Sequence, residues 1–340
     1  MPLSQDQIGL IRTIFYVICP VAILSDGALI LSVFHFKRFR KTLHYMQTSL
    51  ALSELVISVN WVISNQIVPL EALCTIVGTL HQFFAIAVTS WTFLISLYCH
   101  NVVLYGPKVA DNYNIWYQVY GWGMPVIFTA AGFIVSAVDN RGNLMGDATY
   151  ECWFSTAYTD LRLYLFYTVI WSHYFALVGL YARIYWVARA YDVSLSALKV
   201  KQVRASAVAG GDLASNAPSL MPSAALSSVT STIEKSSNDH ISHVNQGHNN
   251  TLERHWSWSP EARASRKQTP LTSSRKIKLR ASVIAFGYVV SWSVPTINRI
   301  MQMCGQTVPY WMTAATAVCF ATSSLWNSAV FFATGFSRGR

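Results

Sequence analysis

Long apolar runs, separated by short polar gaps, dominate the chain. Seven of them are candidates to cross a bilayer: roughly 9–35, 44–68, 74–105, 116–138, 162–188, 277–304 and 309–334. A helix needs about 20 apolar residues to cross the hydrocarbon core. No water is available there, so a helix that satisfies its own backbone suits runs of this length. The first run lacks the basic start and small-residue cleavage site of a secretory signal. All seven are rich in Ser, Thr, Trp and Tyr, which predicts a bundle with a polar interior. The expected fold class is an all-α membrane protein, a seven-transmembrane helix bundle.

Charge orients it. The gap "HFKRFRK" carries Lys37, Arg38, Arg40 and Lys41 and no acid, so it belongs on the cytoplasmic side. The N-terminus is then outside and the C-terminus, ending in the basic "SRGR", inside. The gap 139–161 carries Asp139, Asp147, Glu151 and Asp160 against Arg141, which suits the outer side. The gap 106–115 is nearly neutral and decides nothing. About ten residues precede the first span, so an outside ligand has to enter the bundle itself. One long polar stretch, 190–275, is dense in Ser, Ala, Asn and His. It cannot bury enough surface to offset ordering and is expected to be a disordered third cytoplasmic loop. The expected organisation is helices one to five in 1–189, that loop in 190–275, and helices six and seven with a short cytoplasmic tail in 276–340. No internal repeat is visible, which counts against many transporter folds.

Composition agrees with a membrane class. Hydrophobic residues make up 53% and charged residues 12%, against about 25% charged in soluble domains; mean hydropathy is +0.33. Much of the +10 net charge falls in two inner loops, which argues for the lipid bilayer and against nucleic acid as a partner. Six cysteines without a CxxC do not make a disulfide scaffold. Cys152 lies in the second outer loop and Cys74 at the outer start of span three, both facing an oxidising compartment. A bridge between them would staple the loop across the mouth of the bundle. Cys304 is the competing partner, and two free thiols the plain alternative. Trp153 beside Cys152 is either an interface aromatic or a lid over a cavity.

Ionisable groups inside spans are costly and are usually functional or paired. Asp26 and Glu54 both fall near mid-membrane at about 1.5 Å rise per residue. They read either as a polar switch or ion site in the core, or as carboxyls satisfied by neighbours such as Ser58 and Asn60. His81 and His173 fall in spans three and five. A metal would need a third ligand at suitable spacing and none is seen, so hydrogen-bonded core histidines are expected, with no metal and no cofactor. Pro20, Pro125 and Pro295 lie within spans and suit bent helices around a cavity. A retinal protein needs a lysine in the last span, and 309–334 has none. Clustered His and Asp ligands of an intramembrane hydrolase are missing, so no catalytic residue, and no enzyme, is expected. A small-solute transporter stays open, since Asp26, Glu54 and the prolines would serve it.

Several segments together resemble G-protein-coupled receptors of the slime-mould cyclic-AMP receptor type and their fungal relatives. They are "WGMP" at Trp122–Pro125; "CWF" at Cys152–Phe154 followed by Arg162, "LFY" at Leu165–Tyr167 and Trp171; "WSVPTINRI" at Trp292–Ile300; and Trp326 in "SSLWNSAVFF". "LALSEL" at Leu50–Leu55 is similar to the Leu-Ala-x-x-Asp-Leu of receptor helix two, with Glu in place of Asp. Span three ends "SLYCHNVVLY" without an acid–arginine pair and span seven lacks Asn-Pro-x-x-Tyr, so the rhodopsin-like class is not indicated. The resemblance implies a multi-pass plasma-membrane receptor that transduces an extracellular small-molecule signal to a heterotrimeric G-protein. The short tail and long third loop are closer to fungal sugar- and nutrient-sensing receptors, an alternative ligand class.

Arg299 falls about 33 Å up span six, at about 1.5 Å per residue, and therefore at the outer mouth. Arg162 opens span five at the same level, and both match basic positions of the resembling family. A guanidinium fork suits phosphate or carboxylate. The expected ligand is a small anion, cyclic AMP or another, with Arg299, Arg162, Asn298, Trp153 and Trp292 as binding residues. Each arginine could instead pair with Asp160 or Glu151, or reach the lipid headgroups. Ser265 and Thr269, set among basic residues of the third loop, are expected phosphorylation sites whose added charge weakens coupling. The sequon Asn249-Asn250-Thr251 is expected to stay bare on the inner side.

Overall fold

The computed structural model describes residues 4–39, 41–148, 151–187, 189 and 271–335. Seven long helices run through them: α1 Gln5–His35, α2 Thr42–Ile67, α3 Glu71–Tyr105, α4 Asn114–Asp139, α5 Thr156–Val187, α6 Leu271–Met303 and α7 Tyr310–Gly335. Six of them carry apolar windows long and pure enough to cross a membrane. The exception, α6, opens on Arg275, Lys276, Lys278 and Arg280. It starts at Leu271, earlier than the residue 277 expected, because a helix continues through a basic segment once its apolar part is anchored. The rest of the 190–275 stretch, with Ser265, Thr269 and the Asn249 sequon, lies outside the described residues.

Local chemistry sets the ends. Ser4 caps α1 by accepting from the Gln7 N–H, while Gln7 reaches back to the Ser4 N–H, the reciprocal pairing of a capping box. Gly106, at φ +89°, turns the chain out of α3 into the short helix Pro107–Asp111. Tyr98 Oη donates to Asp111 Oδ1 at 2.9 Å and holds that turn against α3.

The bundle is polar inside and apolar outside. Leu24, Leu31, Ile115, Val138 and Phe175 point outward and are each at least 70% exposed, whereas Asp26, Gln47, Gln82 and Ser96 are fully buried. Soluble proteins rarely expose so much apolar surface, and lipid is the solvent that accommodates it. α3 is the central helix, packing on α2, α4 and α6; α1 packs on α2 and α7, and α6 on α7. Close approach is made with small residues, as membrane helices do. A Cβ on Gly121 of α4 would fall 2.6 Å from the Trp91 ring of α3, and one on Gly287 of α6 would fall inside the Trp326 indole of α7. That indole donates to the Val283 carbonyl at 2.8 Å, tying α7 to α6.

Between α4 and α5 lies an element that apolar patterning does not announce. Strands Met145–Asp147 (β1) and Cys152–Phe154 (β2) form an antiparallel hairpin pairing Met145 with Phe154, Gly146 with Trp153 and Asp147 with Cys152. It lies against the start of α3. Cys152 is bonded to Cys74 at a Cα–Cα distance of 5.2 Å across 78 residues. The expected bridge is present, and Cys304 is an exposed free thiol. The Cys152 N–H also donates to Ser64 Oγ of α2 at 2.5 Å.

Candidate functional site

Under the hairpin is a cavity of about 190 Å³. Its walls come from α2 (Glu54, Trp61), α3 (His81), the hairpin (Glu151, Trp153), α5 (Arg162, Tyr167), α6 (Trp292, Asn298, Arg299) and α7 (Phe320). All five residues expected to bind ligand therefore line one space, although they are spread over 147 positions from Trp153 to Arg299.

The hairpin fixes the near wall. Trp153 points inward, 6% exposed, rather than outward to a membrane interface. Its indole N–H donates to Gln82 Oε1 at 2.8 Å, and Gln82 Nε2 donates to the Leu165 carbonyl at 3.2 Å. Leu165 lies in a wide turn of α5, Leu163–Tyr167, with π-helical pairing. Such turns leave a carbonyl open to outside donors and recur at functional sites. Arg162, just before that turn, donates from both Nε and Nη2 to the Phe154 carbonyl, and its guanidinium lies 5.4 Å from the Trp153 ring centre.

Across the cavity, Arg299 Nη1 donates to Gln302 Oε1 at 3.0 Å. Its guanidinium lies 5.3 Å from the Tyr167 ring centre. Its Nε is buried and finds no hydrogen-bond partner among the described residues. Gln302 donates on to Asn298 (3.1 Å), and Asn298 to Thr316 Oγ1 of α7 (3.2 Å). Asp160, one expected competitor for the arginines, is held by Arg141 at 3.1 and 3.2 Å. Arg141 also binds Asp139 at 2.8 Å.

The other expected competitor, Glu151, is 6% exposed. Its Oε2 lies 3.6 Å from His81 Nε2, beyond hydrogen-bond reach. Burial pushes its carboxyl up from 4.5 to about 8, with the Arg162 charge pulling the other way. From sequence alone Glu151 stands out only as a possible partner for an arginine. A signal for its place was present. His81 lies seven residues after Cys74, hence on the same helix face, and Glu151 precedes the cysteine bonded there.

Deeper in the bundle, Asp26 Oδ1 accepts from Ser328 Oγ at 3.0 Å and Glu54 Oε2 from Asn327 Nδ2 at 3.1 Å. The two carboxyls share donors from consecutive α7 residues, not the Ser58 and Asn60 of their own neighbourhood. Asn60 instead donates to the Val77 carbonyl. Glu54 and Trp292 also border a second, 30 Å³ space that reaches Asn327. His173 is a hydrogen-bonded core histidine, with Nε2 2.9 Å from Tyr120 Oη and Nδ1 2.8 Å from the Val169 carbonyl. No group of three His, Cys, Asp or Glu side chains arranged for a metal occurs among the described residues.

Comparison with known proteins agrees with this architecture. A crystal structure of squid rhodopsin matches with a TM-score of 0.58 and 13% identity, covering 97% of this chain and 78% of that one; at that identity the likeness concerns the fold. A probable G-protein coupled receptor of Drosophila melanogaster, Mth-like 6, is 29% identical over 103 residues, which are 28% of this chain and 21% of that protein. The chain thus covers about a fifth of this relative's length. The description of the seven-transmembrane receptor (secretin family) fits residues 7–181, just over half the chain and including α1 to α4, the disulfide and most of α5. The chain belongs to the seven-transmembrane receptors of the secretin family, a receptor family and not an enzyme family.

Proposed function

We propose that the chain is a plasma-membrane receptor for a small anionic ligand, held by Arg162 and Arg299, which signals to a heterotrimeric G-protein. One observation carries this reading. Two guanidiniums, each lying against an aromatic face, line the same cavity beneath a covalently anchored hairpin. A guanidinium backed by an aromatic ring is held in orientation, and its planar fork matches a carboxylate or phosphate. The finer resemblance to cyclic-AMP receptors points to the same ligand charge. The arginines sit on α5 and α6, and α6 runs back to the basic segment Arg275–Arg280. A ligand drawing the outer ends of α5 and α6 together acts on that inner segment through one continuous helix. The change is a population shift set by differential affinity.

The test is a second-messenger response to cyclic AMP and other small anions in cells carrying Arg162→Ala or Arg299→Ala, with surface expression measured alongside. Loss of response at normal expression is expected. Undiminished sensitivity in both variants rules the anion site out. The chain Arg299–Gln302–Asn298–Thr316 supports a second reading, because neutral amides and hydroxyls suit a sugar; a potent neutral sugar agonist would select it. Radiolabelled uptake without nucleotide exchange on a G-protein would instead indicate a transporter.

A further inference from the structure

The anion reading leaves Glu151 unexplained. Its backbone carbonyl closes the hairpin turn by accepting from the Ala148 N–H at 2.9 Å, so the turn needs nothing from the side chain. That side chain is buried, lines the cavity, and ends in an Oε2 without a hydrogen-bond partner among the described residues. A buried acceptor left unmade is costly. The cost persists because the position is not free to drift. The next residue is bonded to α3 through Cys74 and donates to Ser64 of α2.

The cavity thus offers two poles. Arg162 and Arg299 supply donors; Glu151 supplies an open acceptor, with Glu54 deeper in the same space. A plain anion satisfies the first pole and leaves the second without a partner. Between them the walls are aromatic: Trp61 stacks on Phe320 at 5.8 Å, and Trp292 meets Phe320 edge-on at 5.3 Å. The volume, about 190 Å³, is below the roughly 300–1,000 Å³ of sites for drug-sized molecules. It suits one ring with short polar arms.

Resting on the anion reading, we propose that the ligand is a zwitterion of amino-acid size. Its carboxylate lies on Arg162 and Arg299, its ammonium on Glu151, and an apolar or aromatic side chain lies against Trp61, Trp292 and Phe320. The titratable and charged groups that share the cavity with Glu151 are His81 on α3, Arg162 and Tyr167 on α5, Arg299 on α6 and Glu54 on α2. Burial keeps the Glu151 proton on up to about pH 8, so an arriving ammonium displaces it. Zwitterion affinity then rises with pH between about 6 and 8, while that of an acid without an amine falls.

The test is the thermal shift of the purified full chain in lipid nanodiscs with L-phenylalanine, L-tryptophan, 3-phenylpropionate and phenethylamine. The amino acids are expected to bind at least about tenfold more tightly than either one-armed analogue, with the predicted pH trend. Glu151→Gln is expected to close the gap between L-phenylalanine and 3-phenylpropionate, and Arg299→Ala to weaken both. If 3-phenylpropionate binds as well as L-phenylalanine and Arg299→Ala abolishes both, the zwitterion is wrong and the anion site stands. If phenethylamine binds best and ignores Arg299→Ala, both readings fall. No shift from any amino acid overturns this inference, and so does zwitterion binding to wild type that weakens from pH 6 to pH 8. The last result requires no variant to fold.

Discussion

The mouth of the bundle and its middle solve the same problem differently. Both hold ionisable groups in place, the mouth at the water's edge and the middle away from water. At the mouth, charges meet charges and fixed carbonyls: Arg141 binds Asp139 and Asp160, Arg162 binds the Phe154 carbonyl, and a disulfide holds the frame. In the middle, Asp26 and Glu54 have only neutral hydrogen-bond donors among the described residues, Ser328 and Asn327, and they act on one another electrostatically. The mouth can use charge because strands and helix ends offer backbone carbonyls there. Within the helices every carbonyl is largely spent on the helix itself, so side-chain amides and hydroxyls from a neighbouring helix must serve. The difference teaches that mouth geometry is set covalently and locally, while the middle depends on how α7 sits against α1 and α2.

Breaking the covalent frame is expected to have the largest effect. Cys152→Ser releases a long loop and should lower stability by about 3 kcal/mol, read as the midpoint of thermal denaturation in detergent. Cys304→Ser should leave that midpoint unchanged. Next comes the middle. Asn327→Leu leaves Glu54 Oε2 without its donor and should cost about 2 kcal/mol; Asn327→Gln, which keeps an amide, should cost less. A smaller effect, about 1 kcal/mol, is expected for Arg162→Lys, because a point charge cannot make both bonds to the Phe154 carbonyl. A loss as large as that of Cys152→Ser would mean that the mouth is held by charge rather than by the bridge.

A separate effect concerns pH. The folded state holds the Glu151 proton to about pH 8, whereas the ordinary value is 4.5. Its contribution to stability is therefore fully present below about pH 4.5 and is lost as pH rises through about 8. Glu151→Gln should flatten the fall in melting temperature between pH 6 and pH 8.5, without a large change at pH 5. An unchanged slope would place the titrating group elsewhere.

The helices and the bridge were legible in the chain because their signals are long or topological. Twenty apolar residues have few readings, and a basic first gap sets which ends of the helices share a side, which put Cys74 and Cys152 together. The convergence of Arg162 and Arg299 followed from counting residues along α5 and α6. What escaped depends on rotation about helix axes. Partners for Asp26 and Glu54 lie on α7, some 300 residues away for Asp26 and Ser328, and no local period announces which face of α7 turns inward. Trp153 could be an interface ring or a cavity wall until the hairpin register was known. That register rests on three residue pairs, too few to leave an alternating pattern.

The wide turn at Leu163–Tyr167 has a consequence for how this chain tolerates insertions and deletions. A regular helix advances about 100° per residue, so losing one residue rotates everything beyond it. In α5 the turn already holds one residue more than regular pairing needs. Deleting a residue there restores a plain helix and, because the wider turn already absorbs that residue, leaves both Arg162 and the inner part of α5 near their present orientation. Deleting a residue further down, beyond Thr168, instead puts Tyr181 out of phase with Ser96, which it now meets at 3.2 Å. A single missing codon in α5 would thus be absorbed at the turn but would uncouple the stem when it falls beyond it.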